Sequence, residues 1–336
     1  MLRDELDGIA IAKPIYVTGL ARSGTTILLE LLSRLPSMAT HRYRDFPPIW
    51  TPYFWNRFLE LVPQRDVRPR ERPHQDGIEI TPESPEAMEE PIWMRYFPRS
   101  HDPSAPNLLG RETRNEEFAE VYRRHIRKIL LVRNGRRYLA KGNYNVARLA
   151  YIQALFADAR FVVPIRHPLG HVASLARQHH NFTAGQSANP SAREYLRRVG
   201  HFEFGLDRVP VNMGHDDAIG DVLERWRSGD ELGGWAAYWS HVYGRLKDQL
   251  ETDATLASAV LVVRYEELND QPQETLRRVL EHCGIESDAT TLSALSCRLR
   301  PSRNDGRDIA PADVRRIRAA TEATMIRYGY ASPSLA

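Results

Sequence analysis

The sequence predicts an α/β protein: a P-loop-like three-layer fold with a central parallel sheet, helices on both faces and helical or irregular insertions. Two observations carry this. Short apolar runs alternate along the chain with stretches of helical periodicity, the pattern of parallel strands joined by crossover helices. The first run, Ile15–Thr18, leads through the glycine-bounded loop Gly19-Leu20-Ala21-Arg22-Ser23-Gly24-Thr25-Thr26 into an amphipathic helix. Strand, loop and helix in that order form the unit that grips phosphate with backbone N–H groups.

The remaining elements follow in chain order. The helix expected over Thr26–Arg34 places Ile27, Leu28, Leu31, Leu32 and Leu35 on one face and stops at Pro36. Arg137–Ala140 reads as a short strand, and the helix after it has Val146, Leu149, Ile152 and Leu155 in register. Phe161–Ile165 (FVVPI) is apolar throughout, as a strand buried on both faces must be. It runs into Arg166-His167-Pro168 and a helix carrying Val172, Leu175 and Ala176. Ala259–Val263 is the last strand, with the helix Glu274–Cys283 behind it.

Two stretches break the alternation. Residues of about 41–130 are rich in proline and aromatics, among them Phe46, Trp50, Tyr53, Phe54, Trp55, Phe58, Trp93, Tyr96 and Phe97. Residues of about 180–230 are polar and irregular, and lead to a helix with Trp235, Trp239, Val242 and Leu246 on one face. We read 1–336 as one domain with both stretches inserted to build a pocket, because long excursions from such a sheet surround its ligand crevice. Singly, each aromatic reads as core; the first cluster together is expected to form a lid or pocket wall.

A chain of 336 residues that is 42% apolar can bury a sizeable core. Its 46 basic and 43 acidic residues leave a net charge of +3, and no basic stripe with interleaved aromatics argues for a nucleic-acid partner. The N-terminus lacks the pattern of a signal peptide, and no segment has the length and apolarity of a membrane span. Cys283 and Cys297 make neither a disulfide framework nor a metal spacing, so a reducing, cytoplasmic setting is expected.

The loop has the spacing G-x-x-x-x-G-K-[ST], but Thr25 stands where the lysine belongs. That lysine serves the β- and γ-phosphates of a nucleoside triphosphate, whereas the backbone cradle serves any phosphate. A phosphorylated nucleotide other than ATP or GTP is therefore indicated, with Arg22 supplying charge in bidentate form. Arg166, at the end of a buried strand, and Ser174, eight residues on, suggest a second anion site. Tyr265, at the end of the last strand, can stack on a base or close the core.

The segments GLARSGTT, RHPLGHVAS and RYEEL with Pro272 resemble the sulfotransferases that use 3′-phosphoadenosine 5′-phosphosulfate, most closely a broad bacterial and Golgi-like branch. The resemblance covers about 13–35, 137–180 and 258–285. It implies that Arg22, Ser23, Gly24, Thr25 and Thr26 hold the 5′-phosphosulfate, and that Arg166 and Ser174 bind the 3′-phosphate. Tyr265 matches a position near the adenine; Arg303, in the late loop PSRNDG, is expected to approach the 3′-phosphate, although the family's basic-glycine signature is not well matched there. The donor brings its own leaving group, so no metal is implied.

For the proton, the resemblance points two ways. The soluble aryl and steroid branch has a lysine and a histidine on the strand before the arginine–serine element. Lys141 stands there and is expected to polarise the bridging oxygen, but Asn143 takes roughly the histidine's place. Other branches use a carboxylate soon after the first helix. Asp45 is the carboxylate there, near the end of the expected second strand, and is read as the base, with His41 as runner-up. An ion pair of Asp45 with Arg42 or Arg44 is the structural alternative. Glu89 and Glu90 are a weaker pair, for a polar acceptor or for a helix cap, and His179-His180 read as a helix end. The acceptor is a small molecule, carbohydrate or glycolipid bearing a hydroxyl or amine. The rival readings are an ATP-using nucleotide kinase and a catalytically inactive nucleotide-binding protein.

Overall fold

The computed structural model describes residues 2–62, 68–72, 78–214, 216–299 and 309–330. Its centre is a five-stranded sheet in the order β2-β5-β1-β6-β7, with β1 Ile15–Val17, β2 Met38–Ala39, β5 Arg137–Lys141, β6 Arg160–Ile165 and β7 Val260–Arg264. Every pairing in it is parallel. β3 Arg70–Glu71 and β4 Glu79–Ile80 form a separate antiparallel pair.

The pleat assigns alternate residues to opposite faces, and both faces are buried. Ile15 and Val17 join Leu139 and Val162 in one core, under Leu28, Leu31 and Leu32 of the helix Thr25–Ser33 and Leu276, Val279 and Leu280 of the helix Pro272–His282. Tyr16, Tyr138, Phe161, Val163 and Ile165 face the other core, which contains Trp93, Phe118, Trp235 and Trp239. Helices on two faces of a parallel sheet are what the alternating sequence required.

Parallel pairing fixes where the strands end. Val17 is opposite Lys141 on one side and Val162 on the other, and Ile165 is opposite Arg264. Thr18, Lys141, Arg166 and Tyr265 are thus at or just past the carboxyl ends of four neighbouring strands, the side on which such sheets bind ligands.

Several elements differ from the expectation. The stretch expected as one helix around Val146 is a 3-10 turn, Asn143–Ala147, followed by the helix Leu149–Leu155. β2 has only two residues, and Asp45 lies beyond it in a 3-10 turn, Tyr43–Asp45. The irregular stretch after residue 180 is largely helical: the helix Pro168–Ala188 runs into it, and Pro190–Val199 and Asp216–Arg227 follow.

Candidate donor and acceptor site

The loop after β1 is shaped by three residues with positive φ, Gly19 at 137°, Arg22 at 70° and Gly24 at 110°. At Gly24 a Cβ atom would stand 2.8 Å from the Tyr265 ring, so glycine is required by both backbone and space. Gly24 caps the helix Thr25–Ser33 with no side-chain hydrogen bond, which leaves the first N–H groups of that helix for another acceptor.

This loop forms one end of a cavity of about 770 Å³. Arg22, Gly24, Thr25 and Thr26 line it together with Arg166, Ser174, Arg177 and Tyr265. Arg22 Nε donates to Ser174 Oγ at 3.4 Å. The Arg166 guanidinium lies 5.2 Å from the centre of the Tyr265 ring. Three arginines, two of them on strand ends or the loop, make this end strongly attractive to anions.

The opposite wall comes from both insertions. Tyr43, Ile78, the run Glu86–Glu90, Phe182, Tyr195, Leu196, Val199, His201 and Glu203 line it, while Arg72 reaches the loop and donates from Nη1 to Thr26 Oγ1 at 3.2 Å. Lys141 and Asn143 lie between the two ends. Asn143 joins them: its Oδ1 accepts from Thr25 Oγ1 at 3.3 Å and its Nδ2 donates to Glu203 Oε1 at 2.8 Å.

Comparison with known proteins bears on the family and the fold. A family model described as the sulfotransferase family matches residues 14–212 and 218–289. The chain belongs to that family. Its fold is similar to sulfotransferase STF9 from Mycobacterium avium, at 14% identity and TM-score 0.52, over 96% of this chain and 78% of that one. Sulfotransferase STF1 from Mycobacterium tuberculosis H37Rv is similar at 16% identity and TM-score 0.50, over 94% and 79% of the respective chains. No curated protein matches the sequence.

In this sulfotransferase family member, most of the residues expected to bind the donor share the cavity: Arg22, Gly24, Thr25, Thr26, Arg166, Ser174 and Tyr265, with Lys141 beside them. Ser23 is fully buried and is not among the lining residues. Arg303 lies outside the described residues. Among those described, no helix is long and apolar enough to cross a membrane, and no group of three or more His, Cys, Asp or Glu residues is arranged to hold a metal.

Asp45 and His41 are placed elsewhere than the cavity wall expected of them. Asp45 is fully buried, and both its oxygens accept from Arg133, at 2.7 and 2.5 Å. Asn56 and the backbone N–H of Arg42 complete its shell at 3.0 and 2.8 Å. Burial alone raises its pKa, but His41, Arg133 and Asn56 outweigh burial and hold the carboxylate well below its usual range. The ion pair is therefore with Arg133, not with Arg42 or Arg44, both of which pair with Glu83. His41 is also buried, 3.7 Å from Asp45 and stacked on His125 at 4.9 Å between ring centres.

The expected aromatic wall is likewise different. Trp93 belongs to the core, 4.3 Å from the Phe118 ring, with Arg148 over it at 4.5 Å. Trp50, Phe54 and Phe58 are exposed. The aromatic rings lining the cavity are Tyr43, Tyr144, Phe182, Tyr195 and Tyr265.

Glu86 was not singled out by the sequence, although SPEAMEEPIW holds three carboxylates in five residues and all three line the cavity. Glu90 binds Arg148 at 2.8 and 2.6 Å and His101 at 2.7 Å. Glu89 is buried, with Oε1 accepting from the hydroxyls of Tyr122 and Tyr138, and burial raises its pKa. Glu86 Oε1 lies 3.6 Å from Lys141 Nζ.

Proposed function

We propose that the protein transfers the sulfonate group of 3′-phosphoadenosine 5′-phosphosulfate to the hydroxyl or amine of a small-molecule, carbohydrate or glycolipid acceptor. The observation that carries this reading is the meeting of the Arg22–Thr26 loop with Arg166, Ser174 and Tyr265 in one cavity, which also has a separate carboxylate-bearing wall. A donor with anionic groups at both its 3′ and 5′ positions needs two anion sites with a flat surface near them, and these residues fit it.

In this reading, the loop and the N-terminus of the helix Thr25–Ser33 hold the 5′-phosphosulfate. The helix dipole and uncapped N–H groups favour negative charge there. Arg166 and Ser174 bind the 3′-phosphate, and Tyr265 stacks on the adenine. Lys141 reaches the oxygen that bridges phosphorus and sulfur. As that S–O bond breaks, the electron pair stays on the bridging oxygen, where an ammonium is most useful. The acceptor oxygen or nitrogen forms the new bond to sulfur and gives its proton to a base. The protein contributes position and electrostatics, as in phosphoryl transfer. We place this reaction in the cytoplasm.

The test is calorimetric titration with 3′-phosphoadenosine 5′-phosphate, ADP and ATP in the absence of magnesium. Preference for the 3′-phosphorylated nucleotide, lost in Arg166→Ala, supports the reading. Equal or tighter binding of ATP overturns it and returns the kinase reading. Binding without transfer to any of a panel of sugars, phenols and lipids favours an inactive nucleotide-binding protein.

A further inference from the structure

The proton must leave the acceptor for a group that lines the cavity, is ionised, and stands near the lysine that serves the leaving oxygen. Asp45 fails the first condition. Among the carboxylates on the wall, Glu89 is 3% exposed with Oε1 held by two tyrosines, and Glu90 is clamped by Arg148 and His101. Glu203 accepts from Asn143 and lies 3.3 Å from His201.

Glu86 satisfies all three conditions. Its side chain is 14% exposed on the cavity wall, and Oε1 is 3.6 Å from Lys141 Nζ. The backbone N–H of Ala87 donates to Oε1 at 2.7 Å and the Tyr43 hydroxyl donates to Oε2, which fixes the carboxylate plane. Burial raises its pKa, but Lys141, Tyr43 and Ala87 together bring it below the ordinary value, so the carboxylate is ionised at neutral pH. Lys141 itself is held by the ladder: it is opposite Val17, the residue before the strand turns into the loop. Glu86 is brought to Lys141 by its own segment: its backbone N–H donates to the His41 carbonyl at 3.1 Å, beside the bridge between Arg42 and Pro85.

We propose that Glu86 is the general base of the transfer and that the acceptor's nucleophilic group binds between Glu86 and the sulfonate. This assignment rests on the sulfonate-transfer reading above. The acceptor O–H or N–H proton passes to a Glu86 oxygen as the bond from acceptor to sulfur forms. The S–O bond to the donor breaks, and 3′-phosphoadenosine 5′-phosphate leaves with the electron pair. Water in the acceptor position gives the same balance, with sulfate as product.

Water makes the test independent of the unidentified acceptor. The experiment measures release of sulfate from sulfur-labelled donor in single turnover, beside calorimetric binding of 3′-phosphoadenosine 5′-phosphate. Glu86→Gln is expected to slow release at least about a hundredfold, the usual size of a general-base contribution, while nucleotide affinity stays within about twofold. Glu86→Asp keeps the base and is expected to recover part of the rate. Retained nucleotide affinity shows that the variants fold. Release by Glu86→Gln at the wild-type rate overturns the assignment, as does a wild type that binds the nucleotide but releases no sulfate. A wild type that does not bind the nucleotide overturns instead the reading on which the assignment rests.

Discussion

Arg22 and Ser174 are 152 residues apart in sequence, yet the guanidinium of one donates to the hydroxyl of the other at 3.4 Å. The bond joins the loop after β1 to the helix after β6, so the two expected anion sites are adjacent. Arg166, one residue past β6, completes them.

This adjacency gives the first prediction. Arg166→Ala removes a buried cation that is expected to meet only the 3′-phosphate. Affinity for 3′-phosphoadenosine 5′-phosphate should fall about 10- to 100-fold, or about 1.4–2.7 kcal/mol, while affinity for AMP changes little. Calorimetry with both nucleotides checks it. An equal loss for both would place Arg166 at the 5′ end.

Gly24→Ala should damage the donor end specifically. The added methyl meets the Tyr265 ring at 2.8 Å, and φ of 110° is strained for alanine. Nucleotide affinity should drop at least about tenfold, and the fluorescence of a bound adenine analogue should lose its quenching by Tyr265.

Asp45→Ala should act on stability. It leaves Arg133 buried without its carboxylate, a change worth about 3–5 kcal/mol. Urea unfolding should show the loss, and nucleotide affinity of the remaining folded protein should be unchanged. The same pair predicts a pH dependence. The folded pKa of Asp45 is depressed, so its contribution is fully present above the unfolded value of about 3.8 and is lost as pH falls towards the folded one. Wild type should therefore lose stability below about pH 4 more steeply than Asp45→Ala.

Phe54→Ser and Phe58→Ser should be nearly silent. These rings are 64% and 54% exposed on the helix Pro52–Leu61 and do not line the cavity. Each should change unfolding free energy by less than about 0.5 kcal/mol, and neither should alter nucleotide affinity. Thermal or urea unfolding decides the first point and calorimetry the second.

The donor end of the cavity was legible in the sequence because its parts are local. A strand, a loop and a helix written in 20 consecutive residues fix one another, and apolar runs such as FVVPI announce a strand buried on both faces. The opposite wall was not legible in the same way. Asp45 looked like a strand-end carboxylate, but β2 stops at Ala39 and a 3-10 turn bonded from Arg42 N–H to Asp45 Oδ2 redirects the chain. Its true partner, Arg133, is 88 residues away, and no spacing rule connects them. Glu86 was visible as one acidic residue among three. The approach of Lys141, on β5, distinguishes it from Glu89 and Glu90.

The strand ladder and the insertions hold the cavity by different means, and this bears on how such a protein changes. Lys141, Arg166 and the loop after Val17 are set by register between neighbouring strands, which a single substitution on the outer wall does not disturb. Tyr43, Tyr195 and Val199 are carried by segments that the ladder does not constrain. Loop exchange between relatives can therefore replace the selective wall while the machinery beneath it stays in place, much as one handle takes many blades.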